Sequence, residues 1–198
     1  MQSLPKHLTL DEKRQKISLL PISELSKLRE SQPYTLNNVT VSGQIKLPAS
    51  GKQTEIRASF YSPNCSSNLS CNFSFGLKVR QSQNSTFSTD AFFTLSNSTS
   101  SVWVDRSASA SDGDRSKVGG ELAFDPKTDN QLELIVYIDH SVIEVFAING
   151  TSVITTRVYP PEDFVDLSLF SSSQSVLLST LSVWSLRSAW DSKVNQNK

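Results

Sequence analysis

The chain has 198 residues, 37% of them hydrophobic and 19% charged, and its 19 Lys and Arg balance 19 Asp and Glu to a formal net charge of zero. That length suits one domain with a short attachment, the apolar content is too high for a disordered tail, and the balanced charge offers no electrostatic footprint for nucleic acid or an anionic membrane surface. The longest uncharged apolar run, Leu134 to Ile138, falls far short of the roughly 20 residues that cross a bilayer, so a soluble protein with neither nucleic-acid nor membrane partners is expected.

In chain order, His7 to Leu10 and Lys16 to Leu20 are short strand-like pieces joined by the charged segment DEKRQ, which predicts a hairpin. Pro21-Ile22-Ser23 followed by ELSKLRE predicts a short helix capped by Ser23, with Leu25 and Leu28 on one face. From Tyr34 onward, runs rich in β-branched and aromatic residues alternate with Asn, Gly, Pro and Ser clusters, the pattern of an all-β domain. The candidate strands are TVSGQIKLP, TEIRASFY, FSFGLKVRQ, DAFFTLS, SVWVDRS, QLELIVYID, SVIEVFAI, TSVITTRVY, FVDLSLF and SVLLSTLSVWSLR. Their number and spacing fit a two-sheet antiparallel β-sandwich.

Within QLELIVYID, Leu132, Leu134, Val136 and Ile138 share one face, as period two requires of a strand with one side in the core. SVIEVFAI is apolar on both faces except at Glu144, which predicts a central strand whose lone carboxylate must be paired. Asn149-Gly150 after it is a strong hairpin signal, because both residues tolerate positive φ. Carried outward from that turn, the pairing sets Glu144 opposite Thr155 with Arg157 one same-face step beyond, so Arg157 is the expected partner. The segment ASASDGDRSKVGG reads as a mobile loop and DSKVNQNK as a solvated tail.

Catalytic chemistry is hard to find. Asp139, His140 and Ser141 are adjacent, but successive side chains of a strand point to opposite faces and cannot relay a proton. Asp139 and Glu144, five apart on a continuous strand, would likewise face opposite ways and fail as a glycosidase carboxylate pair. Asp112 and Asp114 lie in a Gly-containing loop without the full calcium-loop spacing. With only His7 and His140 as histidines, no metal site and no cofactor are expected.

Compartment signals are stronger. Acceptor triplets for N-glycosylation stand at Asn38, Asn64, Asn68, Asn72, Asn84, Asn97 and Asn149. Cys65 and Cys71, in an Asn- and Ser-rich loop, suit a small disulfide in an oxidising compartment better than a redox or zinc motif. The first residues carry charges and a proline where a secretory leader needs an apolar run. A C-terminal part of a longer secreted, extracellular or vacuolar protein is therefore expected.

The run from Tyr137 to Pro160, with Asp139, His140, Ser141, Glu144 and Phe146 in a DHSxxExF pattern and then Thr155, Arg157, Tyr159 and Pro160, resembles the signature of the C-terminal domain of glycoside hydrolase family 32, the invertases, inulinases and fructan-active enzymes. LSVWSLRSAW resembles the end of those enzymes, and the first thirty residues are similar to the last strands of their catalytic domain and its linker helix. The resemblance implies that residues 1–20 end the last blade of a five-bladed β-propeller, 21–30 form the linker, 31–190 form a sandwich of two six-stranded sheets, and 191–198 are a disordered tail. It also implies a structural role for Asp139, His140, Ser141, Glu144, Phe146 and Arg157. The family's catalytic Asp and Glu motifs are absent from this sequence, so no catalytic residue is carried over and the chain is expected to be inactive alone.

Two functions follow from the resemblance. In the first, the sandwich packs on and stabilises the catalytic propeller of a β-fructofuranosidase acting on sucrose or fructan, with a homodimer partner as a further option. In the second, it is a lectin-like carbohydrate-binding module, for which Trp103, Trp184 and Trp190 offer stacking surfaces. Trp103, beside Asp105 and Arg106, is the most open of these candidates.

Overall fold

The computed structural model describes residues 3–63, 72–96, 99–110, 115–125 and 129–189. Cys65, Cys71, Asn64, Asn68, Asn97, Asp112, Asp114, Trp190 and the tail 191–198 lie outside the described residues. The elements are β1 (Lys6–Asp11), β2 (Lys16–Pro21), a short 3-10 helix (Ser23–Leu28), β3 (Tyr34–Ser50), β4 (Gln53–Tyr61), β5 (Asn72–Gln81), β6 (Thr89–Ser96), β7 (Ser100–Asp105), β8 (Lys117–Glu121), β9 (Gln131–Asp139), β10 (Val142–Ala147), β11 (Ser152–Arg157) and β12 (Asp166–Ser185). No helix among the described residues is long and apolar enough to cross a membrane.

Two long strands organise the domain. The first part of β12, Asp166–Ser171, pairs with β5, and its later part, Leu178–Ser185, pairs with β4. β3 runs antiparallel beside both parts, with a register shift between Ser171 and Val176. Two six-stranded layers result, β11-β10-β9-β4-β12-β3 and β8-β7-β6-β5-β12-β3, which share the two long strands. The sequence pattern splits β12 in two because Ser172–Ser175 are polar and exposed; the structure carries one strand through that kink, changing sheets as it goes.

Between the layers lies one apolar core, in which Phe60, Phe75, Phe93, Leu134, Val136 and Leu169 are buried at 0% exposure. Phe75 sits against Phe60 at 5.1 Å and against Phe93 at 5.7 Å between ring centroids, so aromatic contacts join the β4 layer to the β5–β6 layer. Leu132, Leu134, Val136 and Ile138 of β9 all point into this core, as the alternation predicts.

Three local expectations are corrected. The residue before the 3-10 helix is Ile22, which caps nothing with its side chain, and Ser23 Oγ donates instead to Glu24; six residues are too few for the α-helical geometry that a Ser cap serves. Part of the expected mobile loop is a strand, β8, paired along β7. Gly119 within β8 is needed for a close approach, since a Cβ there would lie 2.1 Å from the Val102 carbonyl oxygen. Finally, β10 is second from the sheet edge, between β9 and β11, and it is buried on both sides because something covers its outer face.

Candidate functional site

The covered outer face belongs to the layer containing β9, β10 and β11. Antiparallel register lines up Thr155, Glu144, Tyr137, Glu55 and Trp184 as one row across β11, β10, β9, β4 and β12. On the next row stand Val153, Phe146, Ile135 and Arg57. Ile135, Tyr137 and Phe146 form a second apolar cluster, separate from the main core, onto which Leu4, Leu20, Leu25 and Leu186 pack. The N-terminal segment, the 3-10 helix and the chain after β12 are thus laid over this face. They leave a cleft of about 470 Å³ whose walls include Leu4, Leu25, Leu28, Tyr137, Val142 and Glu144.

Three buried carboxylates, Glu55 at 0%, Glu144 at 1% and Asp129 at 7% exposure, hold that cover in place. Lys6 Nζ lies 2.9 Å from Glu144 Oε2, the Leu4 backbone N–H donates to Oε1, and Thr155 Oγ1 donates to Oε2 at 3.2 Å. Arg29 grips Glu55 with both arms, Nε to Oε2 at 2.8 Å and Nη2 to Oε1 at 2.6 Å, and its guanidinium stacks on Trp184 at 3.8 Å. Arg57 Nε adds a third bond to Glu55 at 2.8 Å. Asp129 receives Lys13 Nζ at 2.5 Å and Arg14 Nη2 at 2.6 Å.

Arg14 also bonds Asp11 across the β1–β2 turn at 2.9 Å. The hairpin is further seated on the Asn149-Gly150 turn: Leu19 N–H donates to the Gly150 carbonyl at 2.9 Å, and Ser18 Oγ donates to the Asn149 carbonyl. Gly150 has a φ of +72°, and a Cβ there would meet the Leu19 carbonyl oxygen at 2.5 Å. Gly serves both the turn and the seat for β2.

Electrostatics follow from this pairing. Burial pushes the Glu55 carboxyl up, but the hydrogen bonds and charges of Arg29 and Arg57 outweigh it, so the group sits below its ordinary value. Asp129 is likewise raised by burial and lowered further by Lys13, the Asp125 N–H and Arg14. Burial and the neighbouring Glu55 charge push the Tyr137 hydroxyl up to about 12. Carboxylates depressed in the fold bind protons less readily there than in the unfolded chain, so their contribution is complete above the ordinary carboxylate range and is lost as pH falls through the folded values. Urea midpoints should therefore hold from pH 7 to about pH 5 and fall steeply below about pH 4. In a Glu55→Gln, Asp129→Asn double variant that acid limb should flatten.

The motif residues take places that sequence spacing did not give. His140 and Ser141 form a two-residue turn between β9 and β10, with His140 at a φ of 50°. The turn sends Asp139 to Gln53 Nε2 at 3.0 Å, the His140 N–H to the Lys52 carbonyl at 2.8 Å and Ser141 Oγ to Arg157 Nη2 at 2.8 Å. No proton relay links the three. The same turn puts Asp139 and Glu144 on one face rather than on opposite faces, and Glu144, with both oxygens engaged, has no free edge for a sugar. Glu144 does lie opposite Thr155, but its cation is Lys6. Arg157 is exposed, bonds Ser141 and stacks over Tyr159 at 5.0 Å. Phe146 is buried, edge-on to Tyr137 at 6.2 Å, with Lys6 Nζ 5.7 Å from its centroid.

Of the aromatic candidates, Trp103 is half-buried, carries Lys117 Nζ 4.6 Å from its ring and donates Nε1 to Ser101 Oγ at 2.8 Å. Trp184 is half-buried, under Arg29. Among the described residues no group of three His, Cys, Asp or Glu is placed to hold a metal ion. Sequence reasoning did not single out Glu55, Asp129, Lys6, Arg14 or Arg29. The one available signal was Glu55 and Arg57 flanking an apolar residue in β4, which reads equally well as a solvated strand face.

Comparison with known proteins fits this geometry. The family described as Glycosyl hydrolases family 32 C terminal matches residues 24–185. Among curated relatives, the Beta-fructofuranosidase, insoluble isoenzyme CWINV3, of Arabidopsis thaliana is 29% identical over 96% of this chain and 38% of its own length. The Levanase of Bacillus subtilis (strain 168) is 27% identical over 95% and 27%. Among solved structures, fructan 1-exohydrolase IIa from Cichorium intybus superposes with a TM-score of 0.84 at 24% identity, covering 95% of this chain and 41% of that one. Exo-inulinase from Aspergillus awamori gives 0.80 at 21%, covering 95% and 36%. The chain thus spans less than two fifths of these curated relatives' length. With a family match across most of the sandwich and a two-layer fold shared with these enzymes, the chain belongs to glycoside hydrolase family 32 through its C-terminal domain.

Proposed function

We propose that this chain is the C-terminal module of a β-fructofuranosidase-type hydrolase of sucrose or fructan, and that it packs on and stabilises that enzyme's catalytic propeller. The observation that carries the reading is the fastening of the N-terminal hairpin and 3-10 helix to the sandwich through Glu144, Asp129 and Glu55. In this reading residues 1–20 belong to the last propeller blade and 21–30 to the linker, so the fastened face is the joint between the two domains.

The hairpin supports the reading in a second way. Leu8, Leu10 and Ile17 are 64%, 60% and 59% exposed, and β1–β2 register puts them on one side of the hairpin. A two-stranded ribbon with one apolar side bare is what a neighbouring blade would cover. The proposal includes a secreted, extracellular or vacuolar location, supported by the exposure of Asn38, Asn72, Asn84 and Asn149 in their acceptor triplets. A product collected from a eukaryotic secretory host should then exceed 21.9 kDa and lose mass on endoglycosidase treatment; an unmodified secreted product would contradict the location.

The lectin-like alternative is weakened by the cations lying over Trp103 and Trp184. Titration with sucrose, inulin and levan, followed by intrinsic fluorescence and by assay of free fructose, separates the readings. The structural-module reading expects neither a saturable change nor fructose release. Saturable binding would favour a carbohydrate-binding module, and turnover by a contaminant-free sample would overturn the absence of catalytic groups.

A further inference from the structure

At the far end of β5 lies a buried cation that no buried carboxylate among the described residues answers. Arg80 is 1% exposed and heads the fully buried side chains of the described residues by volume. It stands at a bulge: Gln81 pairs with Asp166 and Lys78 with Ser168, so Val79 and Arg80 together oppose Leu167, and the Arg80 backbone takes a φ of 49°. Bulges re-aim side chains in this way.

Arg80 Nη2 donates to the Pro161 carbonyl at 3.2 Å, which also accepts the Phe164 N–H at 3.1 Å. Phe164 stacks on Phe87 at 5.8 Å and helps close this end of the domain. Nε and Nη1 of Arg80 have no acceptor among the described residues. Thr89, paired with Val79 and fully buried, has its Oγ1 equally without a partner among the described residues, and alternation along β6 places it on the core-facing side with Ala91 and Phe93.

The charge balance is as uneven as the hydrogen bonding. Burial pushes the Arg80 guanidinium below its ordinary value, and the opposing charge is that of Glu162, whose side chain is 75% exposed and already ion-paired with Lys52. An arginine nonetheless keeps its proton at neutral pH. A buried guanidinium with two idle donors is among the costliest features a core can carry, and native structures normally resolve it with a bound partner.

We propose that the two idle donors of the buried Arg80 guanidinium hold a small monovalent anion of the halide class. The groups offered are one positive charge and donor hydrogens, and an anion answers both, whereas water answers only the hydrogen bonds. At 1% exposure the side chain offers little access to the organic remainder of a carboxylate ligand, and a single guanidinium does not balance a divalent oxyanion.

The test is thermal unfolding of the protein in chloride, bromide and sulfate at matched ionic strength, with Arg80→Met alongside. The wild type should gain about 2–4 °C in Tm, saturably, with chloride or bromide relative to sulfate, and Arg80→Met should lose that difference. Equal responses in the two proteins, or no halide response in the wild type, would overturn the proposal. Should Arg80→Met fail to fold, wild-type crystals grown in sodium bromide decide. An anomalous peak within hydrogen-bond reach of Nε or Nη1 supports the site, and a water there without anomalous signal overturns it.

Discussion

Glu55→Ala is expected to cost about 3 kcal/mol of unfolding free energy, because it strands two guanidinium groups at once. Arg29 would lose a two-armed ion pair and Arg57 a bond of 2.8 Å, while Tyr137 would lose the charged neighbour that holds its hydroxyl up. Both arginines keep some access to water, at 24% and 43% side-chain exposure, which keeps the effect at the lower end for a broken buried pair. Urea unfolding followed by far-ultraviolet circular dichroism would read the change. A pH titration of tyrosine absorbance adds a specific signature, since the Tyr137 midpoint should move down toward its ordinary value in the variant. A loss below about 0.5 kcal/mol would mean that the Arg29 grip is an ordinary surface pair.

Glu144→Ala should cost a similar amount, about 3 kcal/mol, for a different reason. One carboxylate there takes the Leu4 N–H, the Lys6 ammonium and the Thr155 hydroxyl, and Lys6 is only 15% exposed along its side chain. Glu144→Gln should recover roughly half of the loss, since an amide oxygen still accepts from Leu4 but carries no charge for Lys6. Equilibrium unfolding of the three proteins tests that order. If the Gln variant is as stable as the wild type, the ion pair with Lys6 contributes nothing.

What was legible in the sequence was whatever is local. Period-two alternation gave β9 its core face, Asn149-Gly150 gave its turn and the Glu144–Thr155 register, and the apolar surroundings of Glu144 announced that it needed a partner. The partner itself was not legible. Lys6 is separated from Glu144 by almost the whole domain, whereas Arg157 sits one same-face step away and satisfied every local rule. Its guanidinium is instead held by the Ser141 hydroxyl and the Tyr159 ring, which the His140-Ser141 turn brings within reach. Glu55 was missed for a related reason: alternation shows that Glu55 and Arg57 share a face, but not that a 3-10 helix and Arg29 will cover it. Long strands that change sheets also defeat a local pattern. The exposed serines at the kink of β12 carry the same signal as a loop, and only pairing with β3 on both sides of the kink reveals one strand.

The central claim is that the N-terminal hairpin is a docked part of the sandwich, fastened by buried carboxylates, and not an independent ribbon. Amide hydrogen exchange of residues 6–21, compared between wild type and Glu144→Gln by mass spectrometry, tests it most directly. A two-stranded hairpin alone is marginal in water, so strong protection in the wild type must come from docking. The account predicts that these amides exchange at least about tenfold faster in the variant while β5 and β12 keep their protection. Equal exchange of the hairpin in both proteins, or fast exchange already in the wild type, would contradict it.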